Sequence, residues 1–285
     1  MLQNSWIFII LLCLFSLIIG SFLSMLVYRI PIILFRQWHA ECQSFLSEYQ
    51  NKFANKRKMN IALPRSHCPH CQQTLRWYHN IPLFGYLIQK GKCGFCHTSI
   101  AIRYPLIELA AAILPLICFI QFGNTLVFYF SCIFSWALIL QTYIDIEHHI
   151  IPDQITLPML WFGLLINLQH TFTDIQSAIL GAVIGYLGLW LFARIFQLIT
   201  KKEGMGHGDF KLLAMLGAWL GWQYLPFVVL LSSSLGAIIG IAILFVQKKH
   251  KNTPFAFGPY LAFAGWIVLL FGQPITQWYF NLFLG

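Results

Sequence analysis

The chain contains 285 residues, of which 58% are hydrophobic and 9% are charged. Soluble globular domains carry roughly 25% charged residues, so this composition excludes a soluble protein and predicts one with several membrane spans. We attribute the net charge of +9 to membrane topology, because Lys and Arg collect at the cytoplasmic ends of membrane helices. Contact with membrane phospholipid or with an acidic partner segment is a secondary interpretation, and we expect no nucleic-acid binding.

Eight apolar segments are candidate membrane-spanning helices, since a helix needs about 20 apolar residues to cross a bilayer and fewer where neighbouring protein covers its ends. They cover residues 6–28, 105–122, 126–144, 155–168, 175–199, 210–222, 225–246 and 255–271. The fourth and the sixth are the shortest. Continuous apolar runs without period-two alternation argue against a membrane barrel. The predicted fold class is therefore an all-α polytopic membrane protein.

The distribution of Lys and Arg predicts the orientation of these spans. Eleven of the 18 lie between Arg29 and Arg103, which places residues 29–104 in the cytoplasm. With eight spans, both chain ends then lie on the opposite side of the membrane. The chain divides into a first membrane helix (1–28), a cytoplasmic segment (29–104) and a seven-helix membrane core (105–285). The polar and basic stretch 35–60 is predicted to form an amphipathic helix on the membrane surface.

Two C-x-x-C pairs in the cytoplasmic segment predict a metal site. Cys68 and Cys71 form CPHC, and Cys93 and Cys96 form CGFC after a spacer of twenty-one residues. Paired turns of this kind bring four thiolates together around a tetrahedral Zn²⁺, which we expect to be structural because no open ligand position or nearby acid is evident. Two disulfides are the alternative, and a reducing cytoplasm disfavours them. The flanking residues His67, His70 and His97 could substitute as ligands, but we expect them to be exposed loop residues.

Two acidic residues lie where lipid makes acids rare. Asp145 ends an apolar run, and Asp209 opens another within GMGHGDFKLL. Asp209 and Asp153 could simply cap helices, but Asp145 lies at a helix C-terminus, where the helix dipole disfavours negative charge. The glycines at 204, 206 and 208 allow close approach of another chain segment and positive φ angles. The placement of these acids therefore indicates a reactive site at the membrane face and not a simple membrane anchor.

The segments YIDIEHHIIPDQITLP and GMGHGDFKLL resemble those of the type IV prepilin peptidases, which are intramembrane aspartic proteases. GSFLSMLVYRIP, NIPLFGYL, RYPLIEL and PFAFGPYLA are similar to further family segments in the same order. The resemblance implies that Asp145 and Asp209 are the catalytic pair. It also implies a bacterial inner-membrane protein that cleaves prepilin and pseudopilin leaders at the cytoplasmic face. S-adenosylmethionine is then the methyl donor for N-methylation of the new N-terminus, at residues that the resemblance does not identify.

The chemistry of the acids agrees with this implication. Two close carboxylates share one proton, so one can act as base and the other as acid on a water molecule and a peptide carbonyl. Glu147 and Asp153 lie in the same turn and compete as candidates for binding substrate or Lys, while Glu108 could cap a helix or pair with Arg103. A proton-coupled transporter and a catalytically silent assembly factor are alternatives of other classes. A transporter predicts acids near the bilayer midplane.

Overall fold

The computed structural model describes residues 2–46, 65–201, 205–247 and 256–283, and these residues are mostly helical except in the segment 65–102. Two isolated β-bridges are the only strand pairing within these ranges. Short 3-10 helices cover Trp77–Asn80 and Trp222–Tyr224. The α-helices of the described residues are α1 (Leu2–Leu46), α2 (Phe84–Ile88), α3 (Arg103–Phe122), α4 (Leu126–His148), α5 (Asp153–Asn167), α6 (Ile175–Thr200), α7 (His207–Leu220), α8 (Leu225–Gln247) and α9 (Gly258–Phe283).

Within the described ranges, five helices are long and apolar enough to cross a membrane, and they are α1, α3, α4, α6 and α8. α5 and α7 have only 15 and 14 residues, and the apolar stretch Gly258–Gly272 of α9 is also shorter than a full span. The all-α, polytopic prediction is confirmed. The count of eight spans is not confirmed. The two segments that are shortest in the sequence form helices too short to cross a bilayer without protein at their ends.

The first helix extends further than the sequence predicts. The predicted span 6–28 stops before Pro31, whereas α1 continues through Pro31 to Leu46. Proline removes one backbone hydrogen bond, which apolar helices tolerate where local adjustments satisfy the freed carbonyl. The predicted surface helix 35–60 is therefore helical up to Leu46 as a continuation of α1, and residues 47–64 lie outside the described residues.

The chain forms two compact units, residues 1–116 and 117–285. In the first unit, α1 approaches α3 closely at Gly20. A Cβ at this position would lie 2.6 Å from Cα of Glu108 and 2.9 Å from Cβ of Ala111. Only a residue without a side chain allows the two helices to meet at this distance.

The second unit is built around α7. Nearly every residue of this helix from Asp209 to Leu220 is buried, because α5, α6 and α9 pack against it. α6 and α7 cross at Gly181 and Gly217, where a Cβ on either glycine would collide with the backbone of the other. Such glycine contacts are typical of closely packed membrane helices. Neighbouring protein thus supplies the apolar cover for a helix too short to span alone.

The end of α7 remote from Asp209 is held by α5. The buried side chain of Asn167 donates hydrogen bonds to the carbonyls of Ala218 and Trp219 at 2.9 and 3.1 Å, and accepts one from the amide of Phe172 at 3.0 Å. The indole of Trp219 donates to the carbonyl of Met159 at 2.7 Å. The two bonds that Asn167 donates satisfy carbonyls that the end of α7 would otherwise leave unpaired.

Candidate active site

Asp145 lies in the last turn of α4 and is only 5% exposed. The helix ends just beyond it because His149 adopts a left-handed conformation (φ 54°), and the His149 amide donates to the carbonyl of Asp145 at 2.9 Å. Pro152 then precedes the first residue of α5. The sequence HHIIPD therefore turns the chain directly after the acid, and this turn holds Asp145 at a helix end.

Asp209 lies in the first turn of α7 and is 8% exposed. Gly206 caps this helix in an extended conformation (φ −76°, ψ 150°), and its carbonyl accepts a hydrogen bond from the Asp209 amide at 3.2 Å. Ile151 lies against Gly208, the residue before Asp209, and against Gly258, whose amide binds Asp145, so the two acids lie near the same side chain. The structure thus brings the two predicted acids together from the ends of different helices.

A third helix end contacts the pair. Gly258 is the first residue of α9, and its amide donates to Oδ2 of Asp145 at 3.1 Å. The free amides at a helix N-terminus carry partial positive charge and favour a carboxylate nearby. This contact offsets the unfavourable position of Asp145 at the end of its own helix. Gly258 belongs to the segment PFAFGPYLA, which resembles a family segment, but the sequence alone gives this glycine no role.

Ile151 packs between two glycines at this site. A Cβ at Gly208 would lie 2.9 Å from Cβ of Ile151, and a Cβ at Gly258 would lie 2.9 Å from Cδ1 of Ile151 and 2.6 Å from Oδ2 of Asp145. The close approach predicted for the glycine-rich loop is confirmed at Gly208. Gly206 and Gly208 do not adopt the positive φ that glycine allows, and Gly204 lies outside the described residues.

The competing acids have other partners. Asp153 forms an ion pair with Lys211, with Nζ at 2.6 and 2.8 Å from its two carboxylate oxygens. Nε2 of His148 lies 3.9 Å from the carboxylate of Glu147. Glu108, in the first unit, accepts a hydrogen bond from the amide of Leu83 at 2.7 Å. The expectation that Asp153 could bind a Lys is confirmed.

The four predicted metal ligands converge in the first unit. The sulfur atoms of Cys68, Cys71, Cys93 and Cys96 all lie within 4.8 Å of one another, and Cys68 and Cys93 are buried. Four thiolates around a tetrahedral Zn²⁺ with Zn–S bonds of 2.3 Å are about 3.8 Å apart, and Sγ of Cys68 lies 3.9 Å from Sγ of Cys96. All eight cysteines are free. The donor set therefore fits a tetrahedral metal ion, in agreement with the predicted ligands.

The two knuckles have the same backbone geometry. In the first, the Cys68 amide donates to the carbonyl of Gln73 and Gln72 has a φ of 60°. In the second, the Cys93 amide donates to the carbonyl of Thr98 and His97 has a φ of 56°. We call residues 65–102 the knuckle segment.

A hydroxyl group supports the thiolate form of one ligand. Oγ1 of Thr98 lies 3.2 Å from Sγ of Cys96. Hydrogen bonds from the hydroxyl and backbone amide of Thr98 lower the pKa of Cys96 to about 6. Since a metal binds the thiolate and not the thiol, this contact favours metal binding near neutral pH.

Two known protein families match parts of this chain. Residues 132–241 match the type IV leader peptidase family, and residues 14–122 match the N-terminal domain of the bacterial A24 peptidases. The chain therefore belongs to the type IV leader peptidase family. No solved structure matches it.

Several relatives cover nearly the whole chain. A prepilin leader peptidase/N-methyltransferase of Aeromonas salmonicida is 46% identical over 279 residues, which are 98% of this chain and 96% of the relative. Proteins with the same name from Pseudomonas aeruginosa and Legionella pneumophila are 46% and 42% identical, covering 95% and 98% of this chain and 93% and 96% of their own lengths. Membership of the family is thus established along both units.

Proposed function

We propose that this protein removes the leader peptides of type IV prepilins and N-methylates the new N-terminus, with Asp145 and Asp209 as the catalytic pair of the peptidase. The observation that carries the proposal is the convergence of these two buried carboxyl groups at the ends of α4 and α7. A relative with both activities in its name extends over 98% of the chain. We include the pseudopilins of secretion systems among the substrates by resemblance to the family.

The geometry supports general acid–base hydrolysis. Two carboxyl groups that share a site hold one proton between them. The ionised partner takes a proton from water as the water oxygen attacks the scissile carbonyl, and the protonated partner donates a hydrogen bond to the developing oxyanion. The intermediate then collapses, the C–N bond breaks, and the leaving amine receives a proton from the pair. The Gly258 amide holds Oδ2 of Asp145 in place, so the carboxyl is oriented before substrate binds.

A transporter is less well supported by this arrangement. Asp145 lies in the final turn of the 23-residue helix α4, and Asp209 in the first turn of α7. Both acids are therefore at helix ends, whereas a proton carrier is expected near the bilayer midplane. A site at the membrane face suits a substrate whose leader stays in water while its apolar helix remains in lipid. We place this site and the knuckle segment on the cytoplasmic side because of the distribution of Lys and Arg.

We propose that the cysteine cluster holds a structural Zn²⁺. A small segment with little apolar core gains folding free energy when four thiolates bind a metal.

For the second activity, N-methylation, S-adenosylmethionine supplies the methyl group. When bound, it would provide the methyl group that the new N-terminal amine accepts.

One experiment tests both activities. The purified protein is incubated in detergent with a prepilin and S-adenosylmethionine, and the substrate mass is followed over time. We compare the wild type with Asp145→Asn and Asp209→Asn, and use Asp153→Asn as the matched control at a neighbouring acid. We expect the wild type to remove the leader and add one methyl group, and each dyad variant to lose cleavage by at least about 1,000-fold.

The outcomes separate the parts of the proposal. Cleavage without methylation would leave a peptidase only. Retained cleavage in either Asp145→Asn or Asp209→Asn would exclude that residue from the pair. An unchanged mass with several prepilins and pseudopilins would favour the assembly factor, which should tolerate both substitutions.

A further inference from the structure

The short helix α2 packs against the protein on one side and has an exposed apolar face. Phe84, Leu87 and Ile88 are 60%, 65% and 62% exposed, and their i, i+3, i+4 spacing puts them on the same side of the helix. Gly85 is buried, and a Cβ there would collide with the carbonyl of His79. The exposed face is therefore not a consequence of a loosely held helix, because the adjacent side at Gly85 is fixed by close backbone contact.

A hydrogen bond sets the position of α2 along α3. Leu83 directly precedes α2 and has a φ of 57°, and its amide donates to Oε2 of the buried Glu108 at 2.7 Å. Glu108 follows Arg103, the first residue of α3, by five positions, which is about 8 Å along a helix axis. This bond keeps α2 beside the first turns of a membrane-spanning helix.

This position corresponds to the membrane interface. α3 has 20 residues, so it needs nearly its whole length to cross about 30 Å of hydrocarbon. Its first turns must then lie where hydrocarbon meets the lipid headgroups. An apolar face at that depth meets lipid at no cost, whereas in water it would remain hydrated unfavourably.

The residues around the face suit the same environment. Trp77, in the 3-10 helix before α2, is 80% exposed, and tryptophan is enriched at membrane interfaces. Lys90 and Lys92, which follow α2, are exposed and would attract anionic headgroups. Ile102, immediately before α3, is also exposed. An apolar face flanked by lysines is the pattern of an interfacial helix.

We propose that the face formed by Phe84, Leu87 and Ile88 inserts into the headgroup region of an anionic bilayer and anchors the knuckle segment there. The anchor would hold the metal-binding knuckles against the membrane surface at the start of α3. The inference does not depend on the proposed peptidase or methyltransferase activity.

A photocrosslinking experiment on the full-length protein tests the inference. p-Benzoylphenylalanine replaces Leu87, and the protein is placed in nanodiscs of phosphatidylglycerol and phosphatidylethanolamine, irradiated and weighed intact. The matched control carries the same probe in place of Gln73, an exposed residue of the first knuckle. We expect about fivefold more protein carrying one added phospholipid from position 87 than from position 73. Equal yields, or links from position 87 only to other parts of the protein, would overturn the proposal.

A second pair of variants tests the apolar contact itself. With the probe in place of Phe84, the substitutions Leu87→Glu and Ile88→Glu should reduce the phospholipid adduct about fivefold, because charged side chains resist insertion. The metal content of the same sample reports whether the knuckle segment is still folded. An undiminished adduct in a sample with full metal content would contradict an anchoring role for this face.

Discussion

The amide of Gly258 donates a hydrogen bond to Oδ2 of Asp145 at 3.1 Å. The N-terminus of α9 thus faces an acid that lies at the C-terminus of α4. A carboxylate in the last turn of its own helix is disfavoured by that helix dipole, and the opposite end of another helix compensates. The contact requires glycine, because any Cβ would occupy the space of the carboxylate.

Gly258→Ala should therefore impair catalysis more than folding. The new Cβ would lie 2.6 Å from Oδ2 of Asp145, and displacement of a catalytic group by about 1 Å costs about 100-fold in rate. We expect leader cleavage to fall by about this factor in kcat. Gly188→Ala is the control, since a Cβ at Gly188 meets nothing within 4 Å. Wild-type cleavage by Gly258→Ala would show that the contact does not position Asp145.

Gly181→Ala should destabilise the second unit. A Cβ there would collide with the backbone of Gly217, and overpacking of a closely packed interface costs about 1–3 kcal/mol. Thermal unfolding in detergent should show a Tm lower by about 5 °C. Gly188→Ala, on the same helix and facing open space, should leave Tm unchanged. Equal Tm values for the two variants would contradict the close crossing of α6 and α7.

Asp153→Asn should retain most of the peptidase activity. The pair between Asp153 and Lys211 is partly exposed, and exposed ion pairs contribute about 0–1 kcal/mol. We expect the cleavage rate of Asp153→Asn to fall less than about fivefold. Lys211→Gln should lower the rate by a similar factor because it removes the same ion pair. A complete loss in Asp153→Asn, with activity kept in Lys211→Gln, would instead assign Asp153 to the catalytic pair.

The purified protein should contain about one zinc ion per chain. Metal analysis of the double variant Cys68→Ser and Cys93→Ser should find none, because each knuckle then loses a buried ligand. Cys42→Ser is the matched control, since Cys42 is exposed and lies outside the cluster. Metal-free wild type, or loss of zinc in Cys42→Ser as well, would contradict the assigned ligand set.

Thr98→Val should make metal binding more sensitive to acid. The hydrogen bonds of Thr98 lower the pKa of Cys96 to about 6, and protons compete with the metal for each thiolate. Without the hydroxyl the pKa of Cys96 rises, so protons displace zinc at a higher pH than in the wild type. Zinc release followed with a chromogenic chelator as pH falls measures the midpoint. An unchanged midpoint would show that the hydroxyl does not support the thiolate.

The sequence predicts those parts of the protein that depend on local composition and spacing. A helix in each apolar segment follows from hydrophobicity alone, and the knuckle ligands from the spacing of Cys68, Cys71, Cys93 and Cys96. Asp145 and Asp209 stand out because acids are costly near lipid. The predicted end of α1 was wrong because the helix continues through Pro31, and apolar helices tolerate proline where local adjustments satisfy the freed carbonyl.

The amino-acid sequence by itself therefore determined the class of protein, its apolar helices, the two acids and the four thiols. Only the tertiary structure decided which helix ends meet: Gly258 against Asp145, Ile151 between Gly208 and Gly258, and Leu83 on Glu108. These contacts join residues that are far apart in the chain. No periodic pattern in the sequence predicts them, because they depend on how whole helices pack.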